Sequence, residues 1–211
     1  MSKAPSLTSP RIINLAFVLL ALLLLMSAAP SMAASACACC ADTGDWYEQT
    51  RRMQAYEINE LRRIRFSDAA SLFLTEADDA IKGLPVDYQS FSLSNFFNPS
   101  HALTLTFKGE RGAAGSLVLF LPRVATSFGV DMHEFPEGSS GPILYKEWRF
   151  EGSVGGSGIF QRGMARGTKF HLILQGQGNN CLSAEDFKNW RLQIKGPRAS
   201  YAFYGKLGDP E

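Results

Sequence analysis

Three cysteines crowd into four residues, Cys37-Ala38-Cys39-Cys40, and a fourth, Cys181, stands alone far downstream. Sulfur at this density can do two kinds of chemistry. In an oxidising compartment four thiols pair into two disulfides, and three pairings are open. Adjacent cysteines seldom bond to each other, because a disulfide needs its Cβ atoms about 3.8 Å apart. The expected bond therefore joins Cys181 to Cys39 or Cys40, with Cys40 favoured as the nearer to the folded domain. It would close a loop of roughly 140 residues, which the chain-entropy model values at about 5 kcal/mol. As thiolates, the same sulfurs are soft ligands: Cys37, Cys39 and Cys40 could wrap a monovalent copper ion, with Cys181, Met132 or His133 completing the shell. Zinc fits less well, since adjacent ligands crowd a tetrahedral site. Dithiol redox work lacks its usual Cys-x-x-Cys spacing.

The other chemistry-bearing residue types are sparse. His101, His133 and His171 are the only histidines, and a three-histidine metal site would have to recruit all of them from separate segments. His133-Glu134 has no second histidine one helical turn on, and Pro136 breaks any helix there, so the metalloprotease pattern fails. His171 falls on the polar side of an alternating segment. Gly138-Ser139-Ser140-Gly141 lacks the spacing of a nucleophile elbow. The glycine-rich run Gly152 to Gly158 lacks the lysine and following helix of a phosphate loop, and a bent strand is expected instead. Glu134, Glu137, Glu147 and Glu151 cluster in sequence and could form an acid pair for sugar hydrolysis.

Arg51, Arg52, Arg62, Arg63 and Arg65 make the one basic concentration, against Glu57 and Glu60. On a helix, Arg51, Arg62 and Arg65 would share a face able to meet lipid phosphates or an anionic polymer near the membrane. Trp46-Tyr47 and Phe96-Phe97 lie beside turn residues and are the aromatic candidates for ligand contact.

These residues need elements to hold them. Lys3 and Arg11 precede an apolar run from Ile12 to Met26, and small residues follow at Ser27, Ala28, Ala29, Ser31, Ala33 and Ala34. That order is the three-part secretory signal, with cleavage expected between Ala34 and Cys37. Two alternatives remain: an uncleaved anchor, because the run nearly reaches bilayer length, and lipidation at Cys37. The expected organisation is a signal segment over 1–36, a cysteine-rich tail over 37–45 and a single β-rich domain over 46–211. Without the signal the formal charge moves from +1 to −1, which gives no global argument for a nucleic-acid partner.

From Asp42 to Arg65, apolar residues recur at threes and fours, which predicts a helix capped by Thr43 or Asp45. From about Leu61 the period is ambiguous and a helix and strands are both open, Ile64-Arg65-Phe66 and Leu72-Phe73-Leu74 flanking Ser67 to Ala70 as the strands of a hairpin would. Downstream the period is two: Leu103, Leu105 and Phe107, then Phe170, Leu172 and Leu174, then Trp190, Leu192 and Ile194. Ser183 with Asp186 suggests one short helical turn before the Trp190 strand. Short alternating strands separated by glycine and proline predict a mostly β fold, an antiparallel sandwich or barrel with an N-terminal helix.

The functional expectation is an exported domain, periplasmic or secreted, that binds a small ligand, a glycan or an envelope protein without catalysis and without a cofactor. The alternative is a copper-handling or thiol-active protein centred on the cysteine cluster. Membrane association would come through an uncleaved signal or a lipidated Cys37.

Overall fold

Side-chain alternation organises most of this chain. The computed structural model describes residues 46–73, 81–98, 101–131, 144–178 and 183–209. Its elements are β1 (Trp46–Arg52), α1 (Ala55–Arg63), β2 (Arg65–Phe66), β3 (Ala69–Phe73), β4 (Ser90–Asn98), β5 (Ala102–Lys108), β6 (Ala114–Phe120), β7 (Val124–Asp131), β8 (Leu144–Gly158), β9 (Lys169–Gly178), β10 (Phe187–Gly196) and β11 (Ala199–Gly208). Eight of the strands, β3 to β6 and β8 to β11, close an antiparallel barrel, the seam being made by β8 with β9 and by β11 with β3. Of the two expected all-β architectures, the chain adopts the barrel.

Every apolar residue expected inside is there. Leu103, Leu105, Phe107, Phe170, Leu172, Leu174, Trp190, Leu192 and Ile194 are at most 1% exposed. Closure explains this: each strand puts alternate residues inside, where an eight-stranded barrel is just wide enough for side chains to fill it. Aromatic rings do most of the filling. Phe107 packs on Phe203, Phe160 and Phe91 at centroid distances of 4.5, 5.2 and 5.9 Å, and Tyr201 packs on Phe160 and Phe203 at 6.0 and 5.9 Å.

The strand β8 serves two neighbours on one edge. Its first part, Leu144 to Arg149, pairs with β7, and its last part, Val154 to Gly158, pairs with β6. Its other edge runs against β9 from Leu144 to Ser153. The glycine run expected to bend a strand lies where this partner changes. A Cβ on Gly152 would sit 2.7 Å from the Phe120 carbonyl oxygen and 2.8 Å from the Phe170 ring, so a side chain there would block the close approach. Beyond the barrel, β7 carries β1 along its full length, a two-stranded ribbon continuing the sheet outward from β8.

Two sequence expectations need correction. The helix does not begin near Asp42: Trp46–Arg52 is strand β1, and α1 spans only Ala55–Arg63. The apolar spacing in that stretch mixes a ribbon strand with a short helix, and the ribbon strand, exposed on most of its length, shows no clean alternation. The helix starts instead at Gln54 with a reciprocal capping box to Glu57. Arg51 is therefore not on a helical face with Arg62 and Arg65; its guanidinium grips the buried Glu57 carboxylate at 2.6 and 2.7 Å. Nor do Arg65 to Phe73 form a hairpin. Both β2 and β3 pair with β11, as one strand interrupted at Ser67 and Asp68. The short turn expected before the Trp190 strand is present as a 3-10 turn, Ala184–Asp186. The leader, Thr43, Asp45, Cys37, Cys39, Cys40, Met132, His133 and Cys181 lie outside the described residues.

Candidate functional site

Because Leu144, Trp148 and Phe150 are buried, the intervening Tyr145, Glu147, Arg149 and Glu151 stand on the outer face of β8. Strand register then lays side chains in rows across this outer face. Trp46, Val130, Tyr145 and Gln177 form one row, and Glu48, Phe128, Glu147 and Gln175 the next. Thr50, Thr126, Arg149, Ile173 and Arg191 follow, then Glu151, His171 and Gln193. Since β7 leaves the barrel wall where β6 takes over, the ribbon and the wall enclose a shelf of ≈ 610 Å³. Glu48, Glu147, Arg149, Glu151, His171, Gln175 and Arg191 supply its polar lining, while Pro122, Val124 and Ile173 supply apolar surface.

One end of the shelf is a fixed hydrogen-bond network. Glu147, only 8% exposed, accepts from the Tyr145 hydroxyl at 2.5 Å, Arg149 Nε at 2.6 Å and Gln175 Nε2 at 3.0 Å. Gln175 Nε2 also donates to the Tyr145 hydroxyl at 3.0 Å. Arg149 reaches Glu48 at 3.3 Å and lies over the Phe128 ring at 4.9 Å. Burial works against the Glu147 carboxylate, but hydrogen bonds from Tyr145, Gln175 and Arg149 outweigh it and hold the group below its ordinary range. Burial, then the bond to Glu147, pushes the Tyr145 hydroxyl well above its ordinary range. Near neutrality Glu147 is thus ionised and Tyr145 protonated, both committed to one another.

That depressed carboxyl makes a prediction about acid. Glu147 contributes stability that is complete above the unfolded carboxylate value, about pH 4.3, and is lost as the pH falls through its lower folded value. Urea midpoints at pH 7 and pH 3 are expected to differ more for the wild type than for Glu147→Gln. An equal loss in both would remove Glu147 from the account of acid lability.

Around the network the shelf offers groups that are less committed. Glu151 and His171 have no ion-pair partner among the described residues, and Arg191 makes only a cation–π contact with Phe73, at 5.9 Å. Thr50 and Thr126 share a hydroxyl hydrogen bond of 2.8 Å at its edge.

The aromatic candidates divide. Trp46 is 67% exposed on the outer face, 6.5 Å from Phe128, in the row that borders the shelf. Tyr47 turns the other way and its ring covers the Gly129 backbone. Phe96 and Phe97 line a separate cavity of ≈ 540 Å³ with Arg62 and Arg65; Phe96 is exposed, whereas Phe97 packs against the core. The four aromatics therefore do not make one site. Of the clustered carboxylates, Glu147 and Glu151 share the shelf, and Glu134 and Glu137 lie outside the described residues. Sequence reasoning missed Glu48, Arg149, Gln175 and Arg191. The available signal was the run Tyr145-Lys146-Glu147-Trp148-Arg149-Phe150-Glu151, whose polar alternates carry both signs of charge. Comparison with family models, curated proteins and solved structures finds no match to this chain.

Proposed function

We propose that this domain is a non-catalytic binding module whose outer shelf holds a hydroxyl-rich ligand, a glycan, in the compartment to which the leader would export it. The observation that carries the reading is the preorganised network of Glu147, Arg149, Gln175 and Glu48 lining a cavity of ≈ 610 Å³, with Tyr145 holding Glu147 from the next row. Donors and acceptors held in place before binding lower the ordering cost of a polar ligand. Sugar hydroxyls both donate and accept, which suits a surface where carboxylates, guanidinium groups, an amide and an imidazole alternate. The exposed Trp46 ring at the border gives a flat apolar face of the kind that packs on the C–H side of a sugar.

Other ligand classes fit less well. An apolar guest would need the barrel interior, and that space is taken by Phe91, Phe107, Phe160 and Phe203. Nucleic acid would need a cationic face, whereas this shelf carries three carboxylates and spends Arg149 on two of them. Sugar hydrolysis is also disfavoured. Glu147 and Glu151 stand four residues apart on one strand, so their Cα atoms are roughly 13 Å apart, and the network keeps Glu147 from leaning inward or holding a proton. A hydrolytic pair needs about 5 to 9.5 Å and one protonated member.

The test is calorimetric titration of the exported protein with a panel of neutral hexose, N-acetylhexosamine and acidic oligosaccharides. At least one member is expected to bind, with affinity falling about tenfold or more in Glu151→Ala and His171→Ala, the loss of one good hydrogen bond to a charged or polar group. Phe96→Ala, on the other cavity, is expected to bind as the wild type does. Silence across neutral and acidic glycans alike would overturn the reading, as would equal losses at Phe96 and at the shelf.

A further inference from the structure

One more row of side chains lies beyond Glu151, His171 and Gln193 on the outer face: Ser153, Lys169 and Lys195. Lys169 and Lys195 are direct cross-strand partners on β9 and β10. Like charges placed opposite one another on a sheet repel, and neutral partners would be more stable there. Neither lysine has an acidic partner among the described residues. Both line a second cavity, of ≈ 460 Å³, together with Gly167, Gln193, Glu151 and His171. The last two also line the shelf, so the two cavities meet at that row and make one groove. From the Glu147 row to the Lys169 row is six residues along β9, roughly 20 Å.

We infer that the ligand of this groove is an acidic oligosaccharide, whose anionic group rests between Lys169 and Lys195 while its neutral hydroxyls occupy the shelf. This deepens the glycan reading above and rests on it. An anion between the two ammonium groups would accept charge-assisted hydrogen bonds from both and relieve their repulsion. Arg191, four residues before Lys195 on the same face of β10, extends the positive side of the groove toward the shelf. Glu151 marks the opposite side, on β8, where it would repel the anion and accept from hydroxyls instead. Charge is therefore distributed along and across the groove in a way that a neutral polymer would not exploit. The anion can be a carboxylate or a sulfate, which share this chemistry.

Titration calorimetry with three oligosaccharides of equal length tests it: a uronic-acid oligomer, its carboxyl-reduced neutral counterpart and a sulfated oligomer. One of the two acidic oligomers is expected to bind about tenfold tighter than the neutral one, the scale of one charge-assisted hydrogen bond, and that arm identifies the anion. The advantage is expected to shrink with added salt. It should vanish in Lys169→Gln/Lys195→Gln, a double substitution on exposed positions that leaves affinity for the neutral oligomer unchanged. Equal binding of acidic and neutral oligomers would overturn the anionic subsite and leave the shelf reading intact. Failure of all three to bind would overturn the acidic assignment, and silence across the wider glycan panel as well would overturn the shelf reading with it. Tighter acidic binding that persists in the double variant would place the anion elsewhere and overturn this assignment.

Discussion

Replacing Phe107 with alanine is expected to destabilise the protein by about 3 to 5 kcal/mol. The ring is fully buried and lies among Phe91, Phe160 and Phe203, contributed by three other segments of the chain. Those neighbours are anchored in separate strands and a turn, and cannot all move inward, so the cavity would persist and its cost would add to the lost transfer free energy. A loss of this size is a large fraction of the 5 to 15 kcal/mol that holds a typical domain together. Thr104, three residues earlier on the same strand and on its outer side, is expected to tolerate alanine with a change below about 1 kcal/mol. Urea unfolding of the two variants decides the matter: a shifted midpoint at constant slope for Phe107→Ala, and little shift for Thr104→Ala. Equal effects would mean that the barrel interior is not where the stability resides.

This inside-to-outside contrast is also why the barrel was legible in the sequence. On β5, β9 and β10 one face is buried and the other is wet, so the period of two survives in the residue types. The ribbon obeys no such constraint. Trp46 to Arg52 pairs with β7 along one edge and is polar or exposed along most of its length, so nothing in its composition announces a strand. Met53, Leu61 and Ile64 continue its apolar spacing into α1, and a strand followed by a short helix then reads as one longer helix. The Gln54 to Glu57 capping box was the local sign of where the helix starts.

The shelf was less legible for a different reason. Its residues come from β1, β7, β8, β9 and β10 and become neighbours only through register. Glu147 and Glu151 drew notice as carboxylates, and His171 as a polar residue on an alternating strand. What Glu147 does depends on Tyr145, Arg149 and Gln175, and Gln175 is fixed by the pairing of β8 with β9. Spacing along the chain cannot report a partner that lies on another strand. The same holds for Lys169 and Lys195, which are unremarkable surface lysines until the register sets them face to face.

Asp186→Ala is expected to cost about 3 kcal/mol, whereas Lys146→Met at the other end of the same ion pair should change stability by no more than about 1 kcal/mol. The pair is asymmetric in its surroundings. Lys146 is 1% exposed, with its ammonium 2.7 Å from Asp186 Oδ2 and 5.0 Å from the Phe187 ring centre. Asp186 sits at the end of the 3-10 turn, its side chain 21% exposed. Removing Asp186 takes from a desolvated cation the carboxylate that lies 2.7 Å from it. Removing Lys146 leaves a carboxylate that water can reach, and methionine restores most of the lost volume among apolar neighbours. The penalty for Asp186→Ala falls at the lower end of the range for a broken buried pair because a second carboxylate acts on the same lysine. Glu60 is held below its ordinary range first by the Ala184 N–H, with Arg63 adding to it, and the Lys146 charge contributes as well. The double variant Lys146→Met/Asp186→Ala should therefore be about as stable as Lys146→Met alone, giving a coupling energy of about 3 kcal/mol. Urea midpoints of the four proteins at pH 7 complete the cycle. If Lys146→Met costs as much as Asp186→Ala, the lysine is valued for packing and bonding rather than tolerated as a buried charge, and the asymmetry argued from solvent access is wrong.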